Sequence, residues 1–140
     1  MIWDIFYNPS DKTIAWTANG GVTEGIISSQ QAASGYSHIQ VEQDDLVDAN
    51  KYIVNEDENG ILLKSSFEPS FSTIIPNLEG TVNITGLPVG TKVYIDDVLK
   101  STMTDTSLNI TFNDPGNFRV TFRKSDHLEY EQLIVVGRYV

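Results

Sequence analysis

His38 and His127 are the only imidazoles in this 140-residue chain, and no cysteine accompanies them. An imidazole set against a carboxylate or a second ligand is the common proton carrier and metal ligand at neutral pH. Here the two lie in different halves, and neither has a His or Cys neighbour at ligand spacing. A triad or metal centre built on either would have to be assembled by the fold, since no local motif supplies it. The acidic stretch Glu42, Asp44, Asp45 and Asp48, followed by Glu56, Asp57 and Glu58, offers the oxygen ligands that Ca²⁺ takes. Its spacing is not that of an EF-hand loop. Asp44, Asp45 and Asp48 therefore stand as metal candidates beside the alternative of solvated loop carboxylates. Asp96-Asp97 is a carboxylate pair of the kind acid–base catalysis uses, but it sits between two alternating runs, where turn chemistry explains it. Asn83-Ile84-Thr85 and Asn109-Ile110-Thr111 match the glycosylation acceptor pattern, which alternating strands also generate. The expectation is a chain with no catalytic residue, no cofactor, no catalytic metal and no nucleophile: not an enzyme.

The elements that carry these residues read as β-structure. "IFYNPSDKTIAWTA" places two apolar-aromatic runs around Asn8-Pro9-Ser10-Asp11-Lys12, turn formers through side-chain hydrogen bonds and a preset φ, so Ile5–Tyr7 and Thr13–Thr17 form a hairpin. After Gly20-Gly21, Thr23 as N-cap, Ile26, Ile27, Gln30 and Ala33 near helical spacing, and Gly35 as a stop predict one short helix over Thr23–Ser34. "SHIQVEQ" alternates again. Tyr52–Asn55 and Ile61–Ser65 flank "EDENG", where Asn59-Gly60 signals a second hairpin. From residue 66 to 79, Pro69 and Pro76 remove ladder donors, which predicts a linker. Beyond it the period-two runs become regular: Val82 and Ile84; Val93 and Ile95; Leu108, Ile110 and Phe112; Phe118, Val120 and Phe122; then Tyr130 to Val136. The expected organisation is mainly β: a small β-rich unit with one short helix (1–65), a linker (66–79) and a β-sandwich (80–140).

Charge and hydropathy exclude several partners. Lys+Arg 9 against Asp+Glu 19 leaves a net charge of −10, which repels phosphate backbones and anionic lipid. Neither nucleic acid nor membrane is expected. "MIWDIFYNPSDK" lacks the basic start and apolar run of a secretory signal, so synthesis in a cytoplasm is expected.

"GTVNITGLPVGTKVYIDDV" followed by "LNITFNDPGNFRVTFRKSDHLEYEQLIVV" resembles the PEGA family of small immunoglobulin-like modules over about Gly80 to Val136. Val93-Tyr94-Ile95-Asp96, Pro115-Gly116 and Phe118 carry the resemblance; at Asp97 the family prefers glycine. The resemblance implies a spacer or adhesive module. A chain that opens "IFYNPSDKTIAWTA", passes through "SHIQVEQDDLVDANKYIVNEDENGIL" and ends in such a module is also similar to small accessory structural proteins of tailed bacteriophages. That similarity implies a virion component made in the host cytoplasm, in the tail or fibre region in preference to a head decoration. Its implied partners are other virion proteins or further copies of itself. Desolvated aromatics supply most of the energy at many interfaces, which marks Trp3, Phe6 and Trp16, with Phe67 and Phe71 second, as docking residues. The alternative is a carbohydrate- or surface-binding adhesion module, possibly Ca-dependent, in which the same aromatics would stack on sugar rings.

Overall fold

The computed structural model describes residues 2–19, 35–43, 46 and 48–137, and the chain divides into two compact units, Met1–Lys64 and Ser65–Val140. The chain is mainly β, as the alternating runs predict; the helix expected at Thr23–Ser34 lies outside the described residues. Among the described residues the helical element is one 3-10 turn, Ala49–Lys51.

In the first unit β1 (Ile2–Tyr7) is the central strand of an antiparallel sheet, flanked by β2 (Ile14–Asn19) and β3 (Ser37–Glu42). The β1–β2 turn forms for the local reasons its residues suggest. The Asn8 carboxamide oxygen accepts from Ser10 N at 2.9 Å, and the Asp11 carboxylate accepts from Thr13 N at 2.9 Å. Lys12 takes the left-handed position at φ 66° and closes the loop by donating its N–H to Asn8 O. A bulge follows: Tyr7 pairs with Ile14 while Phe6 pairs with Trp16, leaving Ala15 unpaired. Ile14 and Trp16 therefore face opposite sides of the sheet although they are two apart in sequence. One face packs Ile5 and Tyr7 with Leu46 and Val54, joined by Trp3, Ile14, Ile39, Val41, Tyr52 and Ile61.

The second hairpin, β4 (Tyr52–Val54) with β5 (Ile61–Leu63), forms at the expected place with a longer connection than Asn-Gly alone would make. Asn55 N–H donates to Gly60 O at 3.0 Å, and the residue with positive φ is Glu58, at 56°. Thr13 bridges to Ile53 and Val54 N–H donates to Lys12 O, so the two hairpins of the unit are hydrogen-bonded to each other.

The second unit is a sandwich of a three-stranded sheet, β10-β7-β6, and a four-stranded sheet, β12-β11-β8-β9. Its strands are β6 (Ser70–Phe71), β7 (Thr81–Thr85), β8 (Lys92–Ile95), β9 (Val98–Thr102), β10 (Leu108–Thr111), β11 (Gly116–Arg123) and β12 (Tyr130–Val136). Chain order crosses between sheets after β7, β9 and β10, the Greek-key order of an immunoglobulin-like sandwich with the extra strand on the β12-β11-β8 side. Period-two alternation fills the interior with Val82 and Ile84 from one sheet and Val93, Val120, Phe122, Ile134 and Val136 from the other. Phe67, Leu87, Met103 and Phe112 close it from the connections.

Residues 66–79, expected as a linker, belong to this second unit. Ser70 and Phe71 pair with Thr85 and Ile84 on β7, at the sheet edge where proline is tolerated. Three residues on, Ile74 O accepts from Val135 N at 2.9 Å and Pro76 O from Gly137 N at 3.0 Å, beside β12 of the opposite sheet. The segment thus starts in one sheet and ends on the other. The two prolines belong to that switch, and Phe67 enters the core, only 6% exposed. Gly80 completes the turn into β7, where a Cβ would meet Asn77 O at 2.8 Å.

The β8–β9 turn is one that glycine would fit without strain. Ile95 pairs with Val98, so Asp96 and Asp97 form a two-residue loop, both left-handed at φ 49° and 66°. Asp96 compensates by accepting Arg119 N–H at 2.9 Å, and Asp97 pairs with the Arg119 guanidinium. A β-branched residue has no such compensation. Asp97→Val is expected to cost about 1–3 kcal/mol, the range for left-handed strain, while Asp97→Gly leaves stability equal or higher. Urea midpoints of the two variants check this.

Candidate functional site

In the first unit one cluster of acid–base side chains is made by strand pairing. On β1, Asp4 lies opposite Gln40 of β3, and Phe6 lies opposite Trp16 of β2 and His38 of β3. Period-two alternation therefore puts Asp4, Phe6, Trp16, His38 and Gln40 on one face of the sheet. Asp4 Oδ1 hydrogen-bonds His38 Nε2 at 2.8 Å and accepts from Gln40 Nε2 at 3.0 Å. Phe6 and Trp16 stack with centroids 4.1 Å apart, and the His38 ring lies 4.9 Å from Phe6. The carboxylate is fully buried and the imidazole side chain is 12% exposed. A buried carboxylate held by donors from the adjacent strand ties β1 to β3 and fixes the imidazole against an aromatic wall.

A second cluster on the same unit joins its two hairpin loops. Lys12 Nζ contacts Glu58 Oε1 at 3.2 Å, and Tyr7 reaches Glu58 from the core. The Lys12 hydrogen bond, then that of Tyr7, holds the Glu58 carboxyl below its usual range. Burial, then the Glu58 carboxylate, pushes the Tyr7 hydroxyl up.

His127 has its own acid partner in the second unit. Its Nδ1 lies 2.7 Å from Asp126 Oδ1, which also accepts from Lys124 Nζ at 2.8 Å, and its ring packs 4.7 Å from Phe67. Burial disfavours the Asp126 anion, but the Lys124 and His127 hydrogen bonds outweigh it, so its pKa is held below the ordinary carboxyl value. The depressed native value means that this carboxylate stabilises the fold above its unfolded pKa, and that the contribution is lost as pH falls through the native one. The window lies below about pH 4. Asp126→Asn is accordingly expected to lower the second unit's stability at neutral pH and to flatten the acid limb of its profile, so that variant and wild type converge at the acid end, read as urea midpoints from neutral pH downward.

The residues marked for docking do not form a surface. Phe6 is fully buried under Trp16, and Trp3 lies on the opposite face, its indole N–H donating to Gln43 O at 3.1 Å. Phe67 is core, and Phe71 packs against that core beside Phe122 and Tyr130. Sequence alone could not see this, because aromatic content does not tell which face a strand buries. Asp48 caps the 3-10 turn by accepting Asn50 N–H at 3.2 Å; Asp44 and Asp45 lie outside the described residues. Among the described residues no group of three or more His, Asp or Glu side chains is placed to hold a metal ion. Asp4 was the missed residue, and a carboxylate inside the apolar run Ile2–Tyr7 was its signal.

Both outer faces of the sandwich carry polar ladders. On β7 and β10, Thr81 pairs with Thr111 at 3.1 Å and Asn83 Nδ2 donates to Asn109 Oδ1 at 2.7 Å, which engages both glycosylation-pattern asparagines. On the four-stranded sheet Arg119 contacts Asp97 and Glu131, while Arg123 binds Glu129 at 2.9 Å and lies over the Tyr94 ring. No helix among the described residues is long and apolar enough to cross a membrane. No protein-family profile, no curated protein and no solved structure matches the chain.

Proposed function

We propose that this protein is a non-enzymatic structural component of a tailed-bacteriophage particle, its first unit docking on other virion proteins and its sandwich presented outward. The phage assignment rests on the sequence resemblance given above. The observation that supports a structural role is the Asp4–His38–Gln40 cluster, in which a buried carboxylate is engaged by side chains of the neighbouring strand and ties β1 to β3. Cross-strand Thr, Asn and Arg–carboxylate pairs on its outer faces support presentation of the sandwich to solvent, although Val98, Leu99, Leu133 and Val135 also stand exposed on the four-stranded sheet. A sugar-binding role is less favoured, because Phe6, Phe67 and Phe71 turn inward and offer no stacking platform. Among the described residues of the first unit the large apolar side chains left more than half exposed are Ile2, Leu62 and Leu63, and these replace the aromatics as docking residues.

The test is to purify particles from cells that express the chain, and to label them with an antibody against it in the electron microscope. The expected result is co-sedimentation with particles and label at one recurrent site, tail or fibre before head. Recovery of the chain wholly outside particles would overturn the reading.

A further inference from the structure

The chain holds two Asn-Gly pairs, Asn19-Gly20 and Asn59-Gly60, and the second lies wholly among the described residues. In such a pair the absence of a Cβ on glycine lets the main-chain nitrogen approach the asparagine side chain closely. The Gly60 nitrogen can then attack Asn59 Cγ: a C–N bond forms, the nitrogen loses its proton, and the side-chain amide leaves as ammonia. Water opens the resulting succinimide at either carbonyl, giving aspartate or isoaspartate. The attack needs the Gly60 N–H unpaired and the Asn59 side chain free to rotate onto it.

The loop denies both conditions through one side chain. Asn55 Oδ1 accepts from Asn59 N at 3.0 Å and from Gly60 N at 3.2 Å, while Asn55 Nδ2 donates to Asn59 Oδ1 at 2.7 Å. The main chain is fixed beneath it, with Asn55 N–H donating to Gly60 O and Glu58 N–H to Asn55 O, each at 3.0 Å. Nucleophile and electrophile are thus held by the same carboxamide. We propose that Asn55 is a clasp that shields Asn59-Gly60 from conversion to aspartate and isoaspartate in the folded protein.

The site matters because of its neighbours. Conversion adds a carboxylate beside Glu56, Asp57 and Glu58, and the isoaspartate form adds a main-chain carbon inside the loop that seats Glu58 against Lys12. That contact links the two hairpin loops of the first unit.

The experiment incubates the full-length protein in mildly alkaline buffer, natively and in urea, and follows residue 59 by peptide mapping and isoaspartate detection. Conversion in the native wild type is expected to be at least about tenfold slower than in urea, one to two hydrogen bonds' worth at roughly 1.4 kcal/mol per decade. Asn55→Ala should return the native rate most of the way to the urea rate. Asn55→Asp, which keeps the acceptor but loses the donor, should fall between. Val54→Ala destabilises the same unit from its core without touching the clasp, and should convert more slowly than Asn55→Ala. Equal native and urea rates in the wild type, an unchanged rate in both Asn55 variants, or acceleration by Val54→Ala equal to that by Asn55→Ala would each overturn the proposal. The native-to-urea comparison decides even if Asn55→Ala does not fold.

Discussion

Replacing Asp4 with alanine is expected to cost the first unit about 2–4 kcal/mol, the loss of a buried acceptor shared by two hydrogen bonds at roughly 1–2 kcal/mol each. The reason is what the carboxylate leaves behind. His38 Nε2 and Gln40 Nε2 both point at Asp4 Oδ1; Gln40 is exposed and can turn to water, whereas the mostly buried imidazole loses its partner. A unit of this size has roughly 3–10 kcal/mol in total, at ~0.05–0.15 kcal/mol per residue, so a large share of its stability goes with one side chain. Asp4→Asn should be milder, since it keeps the shape and one acceptor while discarding the charge. Both tryptophans of the chain, Trp3 and Trp16, lie in this unit, so indole fluorescence against urea reports it alone. A wild-type midpoint for Asp4→Ala would show that the cluster does not hold β1 to β3.

Why Asp4 was invisible while its strand was plain is a matter of what each kind of signal encodes. Strands and turns are local: the apolar-aromatic run Ile5–Tyr7, the alternation in Ser37–Glu42, and the Asn8, Pro9 and Asp11 turn residues specify themselves within a few positions. The Asp4–His38 contact spans 34 residues and depends on β3 pairing with β1 in one register, which no local rule supplies. The bulge at Ala15 compounds this, since strict alternation would put Ile14 and Trp16 on the same face. The 66–79 segment misled for a different reason. Pro69 and Pro76 do remove ladder donors, but at a sheet edge and at a change of sheet that loss costs little. Composition there records the chain's local hydrogen bonding, whereas Phe67 and Phe71 record its burial, and only the fold decides between them.

The second large effect follows from that burial. Phe122→Ala is expected to destabilise the sandwich by about 3–5 kcal/mol, the range for deleting a buried aromatic from a core that cannot fully collapse. Phe122 is fully buried on β11, and its ring is shared by three others: Tyr130 at 5.8 Å, Phe67 at 6.0 Å and Phe71 at 6.1 Å. Two of those three come from residues 66–79, so the cavity would open against the segment that switches sheets and would loosen it along with β11. Phe71→Ala should cost less, because Phe71 is only partly buried and its truncation opens the edge to water instead of leaving a void. Since each unit has its own core, amide exchange should lose protection across β7, β8, β11 and β12 in Phe122→Ala while the tryptophan transition of the first unit stays where it was. If the two transitions move together, the cores are energetically coupled. A truncation meant to isolate the sandwich belongs between Lys64 and Ser65, because a cut before Gly80 would remove Phe67 and Phe71 from its core.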